Sequence, residues 1–312
     1  MAAAKPFSIS VFLVRHEFLV RRLHSLTGLI AGGFMCVHLT VNASVVNSPA
    51  TFQNNVYGIH ALGKILPIVE WAFIFTPLLF HSVIGVWIAN NAAFNQGNYR
   101  YGSNYRYFAQ RITGYILFAF VLYHVFHMHG WLHFDWWLAI AKPLGGAEFA
   151  PFNATSTAGL ALRSWVITAL YAVGILSGVF HFANGVWTAG ITWGVWTAPA
   201  AQLNALRACT GVGVVIGVIG LSALFGMRSA AAPDVIADVI AEEDRMYEAR
   251  VDAGLTTPNE HKRSGHGHSS GGHAGDGKAV ASQGPAEAAD RSLPQGETET
   301  GQTRGATPAA GR

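Results

Sequence analysis

Read as an alternation of apolar and polar positions, the chain divides near residue 228. Before that point five apolar stretches are separated by polar segments: Leu23–Val45, Ile65–Asn90, Ile112–Trp131, Ser164–Thr188 and Leu206–Gly226. Each spans about 20 residues or more, enough at about 1.5 Å per residue to cross a hydrocarbon core of about 30 Å as a helix. The pattern predicts an all-α integral membrane bundle of five transmembrane helices over residues 23–228. An amphipathic, basic segment precedes it (residues 1–22) and a polar, largely disordered tail follows it (residues 229–312). Pro233–Val251 in the tail reads as one short acidic helix. After Gly254 the mixture of Gly, Ser, Thr, Pro, Glu and Gln cannot bury a core, and His261, His266, His268 and His273 read as incidental to a linker.

Composition agrees with the pattern. Of 312 residues 51% are hydrophobic and only 12% charged, against roughly 25% charged in a soluble domain. The net charge of +3 suits an anionic membrane surface and gives no specific reason to expect nucleic acid. Cys36 and Cys209 lie inside apolar stretches, as small buried hydrophobes rather than a disulfide framework. The first apolar stretch is too long for the h-region of a cleavable signal. Lys5, Arg15, Arg21 and Arg22 precede that stretch, and Arg100, Arg106 and Arg111 follow the second. The loop after the first carries only Lys64, and Lys142 and Arg163 after the third are offset by Asp135 and Glu148. The positive-inside rule then places the N-terminus in the cytoplasm and, after five crossings, the C-terminus outside.

One octet occurs twice: Phe80, His81, Gly85, Val86, Trp87, and again Phe180, His181, Gly185, Val186, Trp187. A histidine in hydrocarbon is costly and calls for a partner and a role. The glycine four residues on shares its helix face and lets a bulky group approach the backbone. With His38 and His124, four histidines lie well inside the first four stretches. Counting residues along alternately directed helices puts His38 and His124 in the outer half and His81 and His181 in the inner half. Two imidazoles from facing helices at one depth fill both axial positions of a haem b, which blocks oxygen and leaves one-electron transfer. The expected pairs are His38 with His124 for an outer haem and His81 with His181 for an inner one. His127 is the fallback for His124, and His129 and His133 belong at the outer interface. A pairing of His24 with His38 on one helix lacks a partner helix, because the equivalent positions before His124 and His181 are Gln110 and Ile167.

Other polar residues flank these positions. Glu70, 11 residues before His81, falls on the same face of a regular helix at the outer depth, where a carboxyl could exchange protons with quinone. Arg21, Arg22 and Arg111 at the inner ends are candidate donors to haem propionates or simple positive-inside anchors. His24 and Ser25 are candidate neighbours of the inner haem. Gly28 and Gly32 form a small-x-x-x-small face that serves helix packing or makes room for a macrocycle.

The segments Arg21-Arg22-Leu23-His24-Ser25, Val37-His38-Leu39, Pro77-Leu78-Leu79-Phe80-His81, Gln110-Arg111-Ile112-Thr113-Gly114, Tyr123-His124-Val125 and Phe180-His181-Phe182-Ala183-Asn184-Gly185 together carry a family pattern. Over about residues 15–228 the chain resembles the dihaem cytochrome b membrane anchors, of the cytochrome b558 type, of succinate:quinone oxidoreductases. The resemblance implies a bacterial cytoplasmic-membrane subunit that binds no dicarboxylate. It implies a flavoprotein and an iron–sulfur protein docked on the cytoplasmic side, two haems b on the four histidines, and menaquinone or another quinone near the outer side. The loop from Leu132 to Leu162 and the tail after Ser229 depart from that pattern. Val179 and Phe180 stand where some fumarate-reducing relatives carry a glutamate. Rival readings are a dihaem anchor of another quinone-linked enzyme (fumarate reductase, hydrogenase or formate dehydrogenase) and a non-redox transporter with histidine relays.

Overall fold

A computed structural model of the chain describes residues 13–91, 101–259 and 262–264. Lys5, Arg100, His261, His266, His268 and His273 lie outside the described residues. The five apolar stretches are helical, as Glu17–Val46, Gly63–Asn90, Gly102–His129, Trp165–Thr192 and Pro199–Ala230; each reaches past its hydropathic bounds at one end or both, while the third stops two residues short of Trp131 and the fourth begins one after Ser164. A hydropathy window stops at the first charges. The helices do not, because arginine propagates a helix well and its stem lies along apolar surface while its head reaches water. Hence α1 (Glu17–Ala43) runs through Arg21 and Arg22, and α5 (Gly102–His129) through Arg106 and Arg111.

The second span is not one regular helix. Leu66–Glu70 (α3, following the short helix α2, Pro49–His60) passes into a π-helical turn, Trp71–Phe75, and then into α4, Thr76–Asn90. The third span ends at Gly130, whose left-handed backbone (φ 78°) lets its N–H reach the carbonyls of Phe126 and Val125, a glycine C-cap. After α6 (Asp135–Ala141) and α7 (Ala154–Ala161) come the fourth span, α8 (Trp165–Thr192), and the fifth, α9 (Pro199–Ala230). Helices α1, α4, α5 and α8 form the frame, α1 against α4 and α5 against α8, while α9 lies on α8 and α1. A Cβ at Gly213 would come within 2.9 Å of Ala183 Cβ, and one at Gly220 within 2.8 Å of an Ile175 methyl. Small residues thus let α9 approach closely, the usual basis of helix association in lipid.

The expected acidic helix of the tail is α10, Ile236–Asp252. It packs on α2 and α7, the helices that join the first span to the second and the third to the fourth, and Val239 joins a core with Phe52, Val56, Ala158, Leu162, Tyr171 and Leu224. The segment from Leu132 to Leu162 is ordered too. The N–H groups of Ala147, Glu148 and Phe149 bond to the carbonyls of Phe126, His127 and Met128, satisfying acceptors that the end of α5 leaves open. The first N–H groups of α7 are met from afar. Gln53 Oε1 accepts from Ala154 at 2.7 Å, and Glu243 Oε1 accepts from Thr155 at 2.6 Å and Ser156 at 3.1 Å. Gln53 and Glu243 are both 0% exposed. Their partners explain why such polar groups can be buried.

Candidate functional site

The four intramembrane histidines meet in twos across the frame. The rings of His38 on α1 and His124 on α5 are 5.9 Å apart, centre to centre, and inclined at 76°. Those of His81 on α4 and His181 on α8 are 6.0 Å apart and inclined at 90°. Imidazoles bonded at about 2 Å to opposite sides of one metal ion have their centres roughly 6 Å apart. Among the described residues no three His, Cys, Asp or Glu side chains gather to hold a metal by themselves. Pairs suit a porphyrin, whose four nitrogens complete the iron's coordination, so the residues present fit a bis-histidine haem at each of two levels. His81 meets α1 near residues 24–28 and His181 meets α5 near 110–114. The outer histidine of each helix follows about 12 residues later, so both helices give a separation of ~18 Å along the bundle.

The inner pair is seated by a construction that occurs twice. His81 Nδ1 lies 2.9 Å from the backbone oxygen of His24, and His181 Nδ1 lies 3.1 Å from that of Gln110. A carbonyl only accepts, so Nδ1 carries the proton and Nε2 keeps the lone pair that binds metal. Four residues after each accepting carbonyl stands a glycine. A Cβ on Gly28 would lie 2.4 Å from His81 Cε1, and one on Gly114 would lie 3.0 Å from His181 Cε1. The approach is reciprocal: the His24 ring comes within 3.1 Å of a Cβ built on Gly85, and Gln110 Nε2 within 3.6 Å of one on Gly185. The glycine of the octet therefore admits a side chain of the neighbouring helix. Gln110 Nε2 also donates to the His181 carbonyl at 3.1 Å, while Asn184 donates to Gln110 Oε1 at 2.9 Å and accepts from Arg106 at 2.6 Å.

The outer pair is seated differently. Tyr171 on α8 places its hydroxyl 3.3 Å from His124 Nδ1 and 2.8 Å from His127 Nδ1. His127 is buried, lies parallel to the Tyr123 ring, and turns to Tyr171 rather than to His38. His127, the fallback for His124, thus faces the same hydroxyl as His124. Among the described residues the His38 ring makes no hydrogen bond.

The remaining expected residues divide. His24 stacks on His81, with ring centres 4.0 Å apart and planes at 8°, and its buried Nδ1 has no partner. Ser25 Oγ accepts from Trp193 Nε1 at 3.1 Å. Arg22 lies over the Phe18 and Trp193 rings with a buried Nε that makes no hydrogen bond, whereas Arg21 pairs with Glu17 at 2.6 Å. Arg111 donates to the Ala89 carbonyl. Gly28 faces His81 whereas Gly32 faces the Phe182 ring, so the two glycines serve different neighbours. The expected face of Glu70 needs correction. Its 11-residue spacing from His81 presumed a regular α-helix, but the π turn at Trp71–Phe75 lies between them. One wider turn shifts the phase by about one residue, so half-buried Glu70 is rotated roughly a quarter turn from the His81 face. His129 ends α5 and His133 follows it, both exposed, with ring centres 4.3 Å apart.

Sequence reasoning missed Tyr171, Gln110 and the two threonines beside the seating glycines. A signal for the last existed: Thr27-Gly28 and Thr113-Gly114 each precede an outer histidine by the same interval. Tyr171 had none, being one tyrosine in an apolar helix.

No family model matches the chain. It is 37% identical over 216 residues to the "Succinate dehydrogenase cytochrome b558 subunit" of Bacillus subtilis (strain 168), an overlap that covers 67% of this chain and 96% of that protein. Identity at this level, over nearly the whole of the relative, joins five membrane-length helices and paired histidines. The chain belongs to the family of succinate dehydrogenase cytochrome b558 subunits.

Proposed function

We propose that this chain is the dihaem membrane anchor of a succinate:menaquinone oxidoreductase. His38 and His124 would hold an outer haem b, and His81 and His181 an inner one. Bound there, haem would supply one-electron transfer between an iron–sulfur subunit and quinone. The chain does the positioning. The His24 and Gln110 carbonyls and the Tyr171 hydroxyl orient the imidazoles, and the apolar helices exclude water. Arg22 is the nearest candidate for a propionate partner, because its Nε is buried without an acceptor. Arg21 and Arg111 are further donors at the inner ends. Glu70 would hold a proton for quinone at the outer level.

The N-terminus faces the cytoplasm in this reading, where the flavoprotein and iron–sulfur subunits dock and succinate is handled by the flavoprotein. The layer built on α10 then lies outside. The observation that carries the proposal is the pair of cross-helix imidazole contacts near 6 Å at two levels. The purified complex should contain two haems per chain together with flavin and iron–sulfur subunits. Replacing His81 or His181 by Leu should remove one of two b components from the dithionite-reduced minus oxidised spectrum. Retention of both components would refute the ligand assignment. A copurifying metal–pterin or nickel subunit would move the anchor to another enzyme, and a colourless complex would leave a non-redox transporter.

A further inference from the structure

The two inner seats share one more atom. Thr27 Oγ1 lies 3.1 Å from the His24 carbonyl and 2.8 Å from that of Leu23. Thr113 Oγ1 lies 3.2 Å from the Gln110 carbonyl and 2.7 Å from that of Ala109. A helical threonine commonly bonds back to its own helix. Here, however, the second and longer contact in both helices is to the oxygen that accepts from an inner histidine. Each of these carbonyls faces three donors: the N–H four residues on, as α-helix geometry requires, the threonine hydroxyl, and the imidazole Nδ1–H. The two helices arrive at this arrangement with different residues around it, His24 in one and Gln110 in the other. The outer histidines have no such construction, since His124 faces a tyrosine hydroxyl.

We propose that Thr27 and Thr113 are positioning residues that set the reduction potential of the inner site, by sharing the carbonyls that hold His81 and His181. Donors on one oxygen compete. A hydroxyl on the carbonyl weakens its pull on the Nδ1 proton, so the imidazole has less anionic character. Partners of the non-ligating nitrogen govern how basic a histidine ligand is, and a less basic ligand favours the reduced iron. Removing the hydroxyl strengthens the pull, enriches the ligand and favours the oxidised iron. The inference rests on the haem reading above.

The test is redox potentiometry on the intact complex, with the inner component identified as the one lost in His81→Leu. In Thr27→Val and Thr113→Val, which keep shape and remove the hydroxyl, the reduced-to-oxidised ratio of the inner haem at fixed ambient potential should fall about threefold each, the scale of one shared hydrogen bond. The outer ratio should stay unchanged, and Thr→Ser should restore the inner value. If the valine variants lose the inner haem, Thr27→Ala and Thr113→Ala give the same comparison with less bulk. An inner ratio that is unchanged or rises, an outer ratio that moves equally, or failure of serine to restore would overturn the inference while the haem reading stands. A wild-type complex without haem would overturn both.

Discussion

The inner and outer histidine pairs have nearly the same ring separation, 6.0 and 5.9 Å, yet they are held by different chemistry. At the inner pair both imidazoles donate to main-chain carbonyls of intact helices, over glycines that a side chain could not replace without displacing a ring. A backbone acceptor is present whatever the neighbouring side chains, so this seat depends on small residues at the right intervals. At the outer pair the orienting group is a single hydroxyl, shared by His124 and His127. That hydroxyl belongs to a residue packed into the outer core with Leu162, Leu224 and Val239. The inner seat is therefore a property of four helices in register. The outer seat also relies on how the outer layer packs.

The largest effect should follow from filling the inner seat. Gly28→Val places a Cβ 2.4 Å from the His81 ring, closer than side chains tolerate, so the ring must leave its carbonyl. The expected result is loss of the inner haem with retention of the outer, bringing haem per chain from two to one by pyridine haemochrome assay. Gly33→Val is the control on the same helix, because a Cβ there meets nothing within 4 Å. It should leave both haems in place. If Gly28→Val kept two haems, the inner seat would not depend on the glycine and the contrast between the levels would fail.

This contrast was partly legible in the sequence. The four histidines, their pairing and the five spans follow from periodicity and length, because a charged or imidazole group inside an apolar run stands out against its neighbours. The repeated octet marked His81 and His181 and, through Gly85 and Gly185, the place where something bulky approaches. Three features were hidden. The π turn between Glu70 and His81 has no composition signal, so a count of residues gave the wrong face. Tyr171 looks like any tyrosine in a membrane helix, and its role appears only when α5 and α8 are brought together. The outer layer depends on contacts between segments about 100 and 90 residues apart, such as Gln53 with Ala154 and Glu243 with Ser156, which no local pattern encodes.

A smaller effect should follow from removing the outer hydroxyl. Tyr171→Phe keeps the ring in the core and takes away the partner of both His124 and His127. Loss of such a partner typically weakens metal binding by about 10- to 100-fold. The 3.3 Å contact to His124 is the longer of the two, so the low end is expected: transfer of the outer haem to a scavenging apoprotein about tenfold faster. The inner haem should be retained as in wild type. Equal acceleration at both levels would show that Tyr171 supports the whole bundle and not one seat.

The smallest effect concerns the layer packed beneath that hydroxyl. Glu243 of α10 is fully buried, and burial pushes its carboxyl above the usual glutamate range, although bonds from Ser156 and Thr155 oppose the shift. A folded-state value above the unfolded one means the folded layer holds a proton more readily than the opened one. Its docking should therefore be firmest at or below the ordinary glutamate value and loosen as pH rises through the raised one. Each unit of upward shift corresponds to about tenfold in the opening equilibrium. Protection of the Thr155 and Ser156 amides against hydrogen exchange, corrected for intrinsic rates, measures this opening directly. Glu243→Gln keeps one carbonyl oxygen for those amides and removes the charge. It should flatten the pH dependence and leave the inner haem unchanged, whereas a pH slope that survives in the variant would assign the titration to another group.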